Sequence, residues 1–303
     1  MIIHFHISYK TMFGEQIVVN IQKDDEEVKF PLATLDGERW SYDWCVESTQ
    51  QAYTYYYSVV REGVVLKTEW LQVKHRLDMT AKKAAEYTLY DHWKVIPQDS
   101  FLYSSAFTDC INHQTPQEMK PCKYAKTVRV IVRAPQLRDG ESLGLLGADE
   151  ALGNWNLQNV VTMTQHTYNE WAVDLDATQL QSSHLELKFV AVDKKKAQVL
   201  WETGMNRTID LPEMKAGDVV VYDLDQAFFA LYNRKLAGTL VPVFSLRSKK
   251  SAGVGDFGDL KTMIDLVAST GQKVLQLLPI NDTTITHTWT DSYPYSCISV
   301  FAI

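Results

Sequence analysis

The chain reads as a mostly-β protein: two tandem antiparallel β-sandwiches, then a parallel strand–helix–strand unit. Three observations predict this. Short stretches with period-two alternation and dense aromatics run through the first three quarters. A long self-similarity divides those three quarters into two copies of one domain. Beyond Gln226 the composition changes to continuously apolar strands around an amphipathic helix.

The repeat is carried by Leu185 to Arg207 (LELKFVAVDKKKAQVLWETGMNR) and, more weakly, by Tyr53 to Arg76 (YTYYYSVVREGVVLKTEWLQVKHR). Trp70 precedes Arg76 at the spacing that separates Trp201 from Arg207. The tails match, HRLDM…YTLYD ending on Asp91 and NRTID…VVVYD ending on Asp223, and so do Gly14-Glu15-Gln16-Ile17 and Gly140-Glu141-Ser142-Leu143. The implied organisation is a first sandwich over 1–112, a linker over 113–126, a second sandwich over 127–225 and a different unit over 226–303.

In the first copy, Ile3-His4-Phe5-His6-Ile7 places its apolar residues on one strand face and both histidines on the other. A His-x-His pair can ligate metal, but no third ligand is in sight, and strand histidines are expected to face water. Tyr53, Tyr55 and Tyr57 alternate with Thr54 and Tyr56, which puts tyrosines on both faces and leaves Tyr56 as an outward contact residue. Asn112 to Lys126 is polar, holds two prolines and lacks periodicity, as a linker does. In the second copy, Leu152-Gly153-Asn154-Trp155 presents an indole at a turn. Leu185, Leu187 and Phe189 point inward and leave Lys188 outward, while Lys194-Lys195-Lys196 marks a solvated hairpin tip. After Gln226, a short helix is expected over Ala227–Leu236 and a strand over Leu240–Leu246. A helix follows over Phe257–Thr270, with Leu260, Met263, Ile264 and Val267 on one face and Gly271 as its C′ residue. A second strand spans Val274–Ile280.

A net charge of −7 with no basic stripe argues against nucleic acid and anionic membrane as partners. The N-terminus reads as a strand rather than a signal peptide, and no apolar run reaches the ~18 residues of a membrane helix. Four scattered cysteines without a CxxC pair suit a reduced, cytoplasmic protein.

Two tryptophans, Trp155 and Trp201, with Lys188, Glu202 and Asn206 nearby, fit a sugar site. Indole faces accept the C–H face of a pyranose, and the ammonium, carboxylate and amide replace the hydroxyls' lost bonds to water. The competing reading buries both indoles in the core. The motifs LGNW, ELKF and WETGMNR resemble the starch-binding domains of carbohydrate-binding module family 20, which are immunoglobulin-like sandwiches. That resemblance implies α-1,4-glucan stacked on Trp155 and Trp201 and hydrogen-bonded by Lys188, Glu202 and Asn206. The first sandwich resembles the same family with departures: Trp70 and Arg76 are kept, while Tyr56, Leu71 and His75 stand for Lys188, Glu202 and Asn206. It has no counterpart of Trp155, so its main site is expected to be degraded. Phe13 falls at the family's second-site aromatic.

Gly253-Val254-Gly255-Asp256-Phe257-Gly258 spells G-x-G-x-x-G, with Asp282 at the distance of a ribose-binding acid. Against a dinucleotide, seven residues separate the strand from the first glycine, and Asp256 would set a carboxylate beside the pyrophosphate. The longer string VPVFSLRS…GVGDFGDL…VLQLLPIND…DSYPYS is similar to the opening of glycoside hydrolase family 77, the 4-α-glucanotransferases, which are (β/α)8 TIM barrels. By that resemblance Leu240–Leu246 and Val274–Ile280 are the first two barrel strands. Asn281-Asp282, Asp291 and Tyr295 then lie on the catalytic face, Tyr295 as an aromatic against sugar and Asp291 as a neighbouring contact. Two sandwiches before such a barrel resemble the disproportionating members of the family. They imply retaining transfer of glucosyl units from maltose or malto-oligosaccharide to starch or glycogen, without metal or cofactor. The two catalytic carboxylates, ~5–5.5 Å apart in retaining enzymes, belong to later strands. This chain is therefore expected to hold a barrel cut after two strands, to bind α-glucan and to catalyse nothing alone. The alternatives are a non-catalytic glucan-binding adaptor and, less favoured, dinucleotide binding at Gly253–Gly258.

Overall fold

A computed structural model describes residues 1–23, 26–46, 52–79, 86–120, 122–193, 198–229, 235–251 and 253–281, and residues 286, 288, 290, 293, 295 and 298 singly. Met1–Tyr232 form one compact unit and Asn233–Ile303 another.

The first repeat supplies β1 (Ile2–Ser8), β2 (Gln16–Lys23), β3 (Glu26–Pro31), β4 (Ala33–Thr34), β5 (Arg39–Cys45), β6 (Ala52–Arg61), β7 (Val64–Thr68), β8 (His75–Asp78) and β9 (Glu86–Asp91). The second supplies β10 (Thr127–Arg133), β11 (Glu141–Gly147), β12 (Val161–Thr162), β13 (Thr164–Thr167), β14 (Glu170–Asp176), β15 (His184–Asp193), β16 (Gln198–Trp201), β17 (Arg207–Asp210) and β18 (Val219–Gln226). Alternation decides the faces. Ile3, Phe5 and Ile7 of β1, Ile17, Val19 and Ile21 of β2, and Tyr53, Tyr55, Tyr57 and Val59 of β6 meet in one core. Leu143 and Leu145 of β11 and Leu185, Leu187 and Phe189 of β15 meet Val128, Val130 and Val132 of β10 in another.

The two cores share a sheet. Its order is β13-β14-β10-β18-β9-β1-β5-β4, because the last strands of the two repeats, β9 and β18, pair in parallel. Val219 lies opposite Tyr87, Val221 opposite Leu89 and Tyr222 opposite Tyr90. Paired residues in a parallel ladder share a face, so Val219 and Val221 join the first core while Val220 and Tyr222 join the second. The two cores thus occupy opposite faces of one continuous sheet. This explains β10, every residue of which is buried. Arg129 and Arg133, which alternation would send to water, lie under the first repeat. Arg129 grips Asp174 through two bonds of 2.7 and 2.9 Å, and Arg133 pairs with Asp225.

Three expectations are refined by the structure. The linker over 113–126 is packed down at its described residues: Gln114 bonds Asn169 and Gln165, the Gln117 amide donates to the Gln165 carbonyl, and Met119 and Cys122 pack on the first core. His6 is only partly open to water, its ring stacking on Tyr90 at 5.0 Å, while His4 bonds Asp43 at 2.8 Å. Burial, with His4 beside it, pushes the His6 pKa down. Residues 227–229 and 235–237 form no helix, and Ala227 and Phe229 are buried; residues 230–234 lie outside the described residues.

The second unit is a strand–helix–strand. β19 (Gly238–Val241) pairs in parallel with β20 (Val274–Leu277), and α1 (Phe257–Ser269) lies between them in the chain. The first strand begins two residues earlier than its apolar run and stops before Pro242, which has no N–H for a ladder; Val243–Ser245 form a 3-10 turn instead. The second strand ends at Leu277 rather than Ile280. Asp256 caps α1 in a capping box with Asp259, and Gly271 ends it at φ 76°. Val267 is buried, whereas Ile264 is exposed.

Candidate functional site

The loop carrying Trp155 is built from its backbone outward. After β11, Asp149 caps a 3-10 turn over Glu150–Leu152, and Leu152 is fully buried. Gly153, Asn154 and Trp155 then take consecutive left-handed conformations, at φ 81°, 47° and 56°. Left-handed geometry is unfavourable for residues bearing a Cβ, above all a bulky one, and persists only where the surroundings enforce it. Here Asn154 N–H donates to the Asp149 carbonyl and Trp155 N–H to the Gly147 carbonyl, at 3.1 and 2.9 Å. A Cβ on Gly153 would lie 2.5 Å from the Asn159 carbonyl oxygen. The strain is held by a fixed loop, and what it presents is the Trp155 indole.

Trp201 ends β16 opposite Val190, on the sheet face that also carries Lys188. The Trp155 and Trp201 ring centroids are 6.2 Å apart with planes at 46°, and both rings are half-buried. Lys188 Nζ donates to the Gly204 carbonyl at 2.6 Å and Asn206 Nδ2 to Glu186 at 2.8 Å. Each contact uses one donor and leaves others for a ligand. The arrangement is a two-ring platform edged by an ammonium and an amide.

Glu202 is not part of that edge. Its side chain is buried, accepting the Phe189 amide at 2.9 Å and the forked guanidinium of Arg207 at 2.7–3.1 Å. Arg207 also donates to the Leu224 and Gln226 carbonyls. The pair ties the 202–207 turn to the sheet, and the Glu202 carboxylate is taken up by Phe189 and Arg207 rather than presented at the surface. Sequence reasoning missed Glu186 as the partner of Asn206 and Arg207 as the anchor, since residue types alone do not show which side chains meet across the sheet.

The first repeat corrects a second expectation. Tyr57 and Glu69 exchange the same two bonds as Phe189 and Glu202, at 2.7 and 3.1 Å. His75 pairs with Tyr55 where Arg207 pairs with Leu187, and Thr68 pairs with Ser58 where Trp201 pairs with Val190. Glu69, not Leu71, is therefore the counterpart of Glu202, and His75 that of Arg207. Thr68 occupies the place of Trp201. Trp70 lies two residues further on, half-buried edge-to-face against Tyr103 at 4.9 Å, and belongs to the packing of the junction.

Phe13 is fully exposed on its turn, with no aromatic partner among the described residues. Tyr295 is exposed beside Tyr293 at 5.7 Å. Asp291, Asp282 and Lys194–Lys196 lie outside the described residues. At Gly253–Gly258 the Asp256 carboxylate itself accepts the Gly258 and Asp259 amides, at 2.7 and 3.0 Å. A Cβ on Gly255 would strike the Val243 carbonyl oxygen. The helix N-terminus is filled by its own cap and the glycine serves packing, which removes the basis for a dinucleotide there.

A second polar cluster joins the two repeats. His75, Asp91 and Asp223 bring ligand-type atoms within 4.8 Å of one another, and Lys94 Nζ lies 3.3 Å from Asp223 and 3.7 Å from Glu170. Burial and Lys94 push the His75 pKa down, yet Glu69, Asp91 and Asp223 outweigh them and lift it to about 9. Lys94 and His75 hold Asp223 far below the usual carboxylate range despite burial. His75 and Lys94 offset part of the charge on Glu69, Asp91, Glu170 and Asp223, and the contacts tie residues of the first repeat to Glu170 and Asp223 of the second.

Residues 126–221 match the family described as starch binding domain, and residues 241–303 the one described as 4-alpha-glucanotransferase, glycoside hydrolase family 77. This chain is related to the 4-alpha-glucanotransferases. Over 226 residues it is 32% identical to the 4-alpha-glucanotransferase DPE2 of Oryza sativa subsp. japonica, covering 70% of this chain and 23% of that one. Over 66 residues it is 47% identical to the 4-alpha-glucanotransferase of Chlamydia trachomatis and 42% to that of Chlamydia muridarum, each time covering 22% of this chain and 12% of the relative. The chain thus spans under a quarter of the curated relatives it matches. No helix among the described residues is long and apolar enough to cross a membrane.

Proposed function

We propose that this chain holds α-1,4-glucan for a 4-α-glucanotransferase, with starch, glycogen or malto-oligosaccharide lying across Trp155 and Trp201. One observation carries the reading: two half-exposed indoles 6.2 Å apart, one of them on a backbone held in left-handed strain. Rings tilted at 46° suit the curved face of an α-1,4 chain better than a flat one. Stacking removes apolar area from water at little entropic cost, and Lys188 and Asn206 then supply directional bonds to hydroxyls.

On this reading the transfer moves glucosyl units from maltose or a malto-oligosaccharide to a glucan acceptor in the cytoplasm. The 233–303 unit is the start of the (β/α)8 barrel, with Tyr295 and Asp291 near the sugar path. Retaining transfer of this kind uses two carboxylates ~5–5.5 Å apart. Retention on immobilised amylose tests the binding claim. Trp201→Ala is expected to remove most of it and Trp70→Ala little, because Trp70 packs on Tyr103. Equal losses from the two variants would overturn the assignment.

A further inference from the structure

A cleft of about 420 Å³ opens where the two sandwiches meet, away from the indole platform. One wall is the first repeat's 71–76 segment with Thr54; the other is the β13–β14 hairpin of the second repeat. The first wall occupies an informative place. Thr54 pairs with Arg76 where Glu186 pairs with Thr208, so Lys74 stands at the position of Asn206. The cleft therefore lies where the first repeat would carry the polar edge of its own platform, had Thr68 been a tryptophan.

The second wall restores an aromatic. Tyr168, about half exposed, sits at the hairpin tip. Its neighbour Asn169 is left-handed at φ 63° and fully buried, bonding the Leu102 carbonyl and Gln114. The ring is thus presented from a fixed turn. Two of the lining charges are already matched: Arg76 forks onto Asp78 at 2.7–3.0 Å, and Glu170 pairs with His166 at 3.0 Å. Lys74 lies over the Tyr56 ring at 5.4 Å. A single exposed ammonium gives an anion little advantage. An aromatic face with the amide of Gln72, the hydroxyl of Thr54 and the Lys74 ammonium suits a neutral polyhydroxylated ligand.

We propose that this cleft is a composite second glucan site, in which one malto-oligosaccharide is held by Gln72 and Lys74 of the first sandwich and stacks on Tyr168 of the second. The site exists only because β9 and β18 pair and fix the two sandwiches. It rests on the proposed function for its ligand class but not on the Trp155–Trp201 platform.

The test is calorimetric titration of maltotetraose into the full chain. In a Trp155→Ala/Trp201→Ala background, weak binding should remain. Adding Tyr168→Ala should weaken it roughly tenfold, and adding Gln72→Ala should weaken it less, with thermal unfolding checked for each variant. No binding in the background, or an isotherm unmoved by Tyr168→Ala, overturns the composite site and leaves the indole platform standing. Failure of the platform reads differently, as a background identical to the unsubstituted protein.

Discussion

Replacing Lys94 by Met probes the joint between the sandwiches. The ammonium is buried, 3.3 Å from Asp223 and 3.7 Å from Glu170, and donates to the Lys74 carbonyl at 3.2 Å. Methionine roughly conserves the volume, so the change removes charge rather than packing. Asp223 and Glu170, both buried, then lose a cation they share. Breaking a buried ion pair from one side costs about 3–5 kcal/mol, because the remaining charge is left uncompensated. Against a total stability of roughly 5–15 kcal/mol, that is a large fraction. At ~2–4 °C per kcal/mol for a unit of this size, the melting temperature should fall by roughly 6–20 °C in scanning calorimetry. A melting temperature within about 2 °C of the parent would refute the claim that the cluster joins the repeats.

The His75 ion contacts give a pH signature. With a folded pKa of about 9 against ~6.5 unfolded, its contribution is fully present below about pH 6.5 and is lost as pH rises through about 9. The melting temperature should therefore decline across that window in the parent and stay flat there in His75→Gln. Glu202→Gln should lower stability by about 3 kcal/mol by denying Arg207 its buried partner, while the exposed Asn206→Ala should weaken glucan binding and leave the melting temperature unchanged.

Much of the fold was legible because strand alternation is local. The Ile3/Phe5/Ile7 and Leu185/Leu187/Phe189 faces needed only period two, and the LGNW turn with the outward Lys188 located the platform. What was not legible is non-local. β10 carries Arg129 and Arg133 at positions that alternation sends to solvent, and no residue in β10 says that a parallel strand from the other repeat will close the sheet. The repeat register was misread for a related reason. Glu69 and His75 are six residues apart and Glu202 and Arg207 five, so aligning Trp70-to-Arg76 on Trp201-to-Arg207 matched identities across a loop that had gained a residue. The backbone exchange between Glu69 and Tyr57 reveals the true register, and it is written in hydrogen bonds rather than in residue types. Glu202 was misplaced because a carboxylate beside a tryptophan suits a sugar ligand and a buried Arg partner equally well.

The indole N–H signals in a ¹⁵N correlation spectrum, followed during titration with maltoheptaose, test the platform directly. The account predicts that the Trp155 and Trp201 signals move together and saturably, while those of the buried Trp40, Trp44, Trp93 and Trp171 stay in place. Still signals from Trp155 and Trp201 at saturating sugar would contradict it.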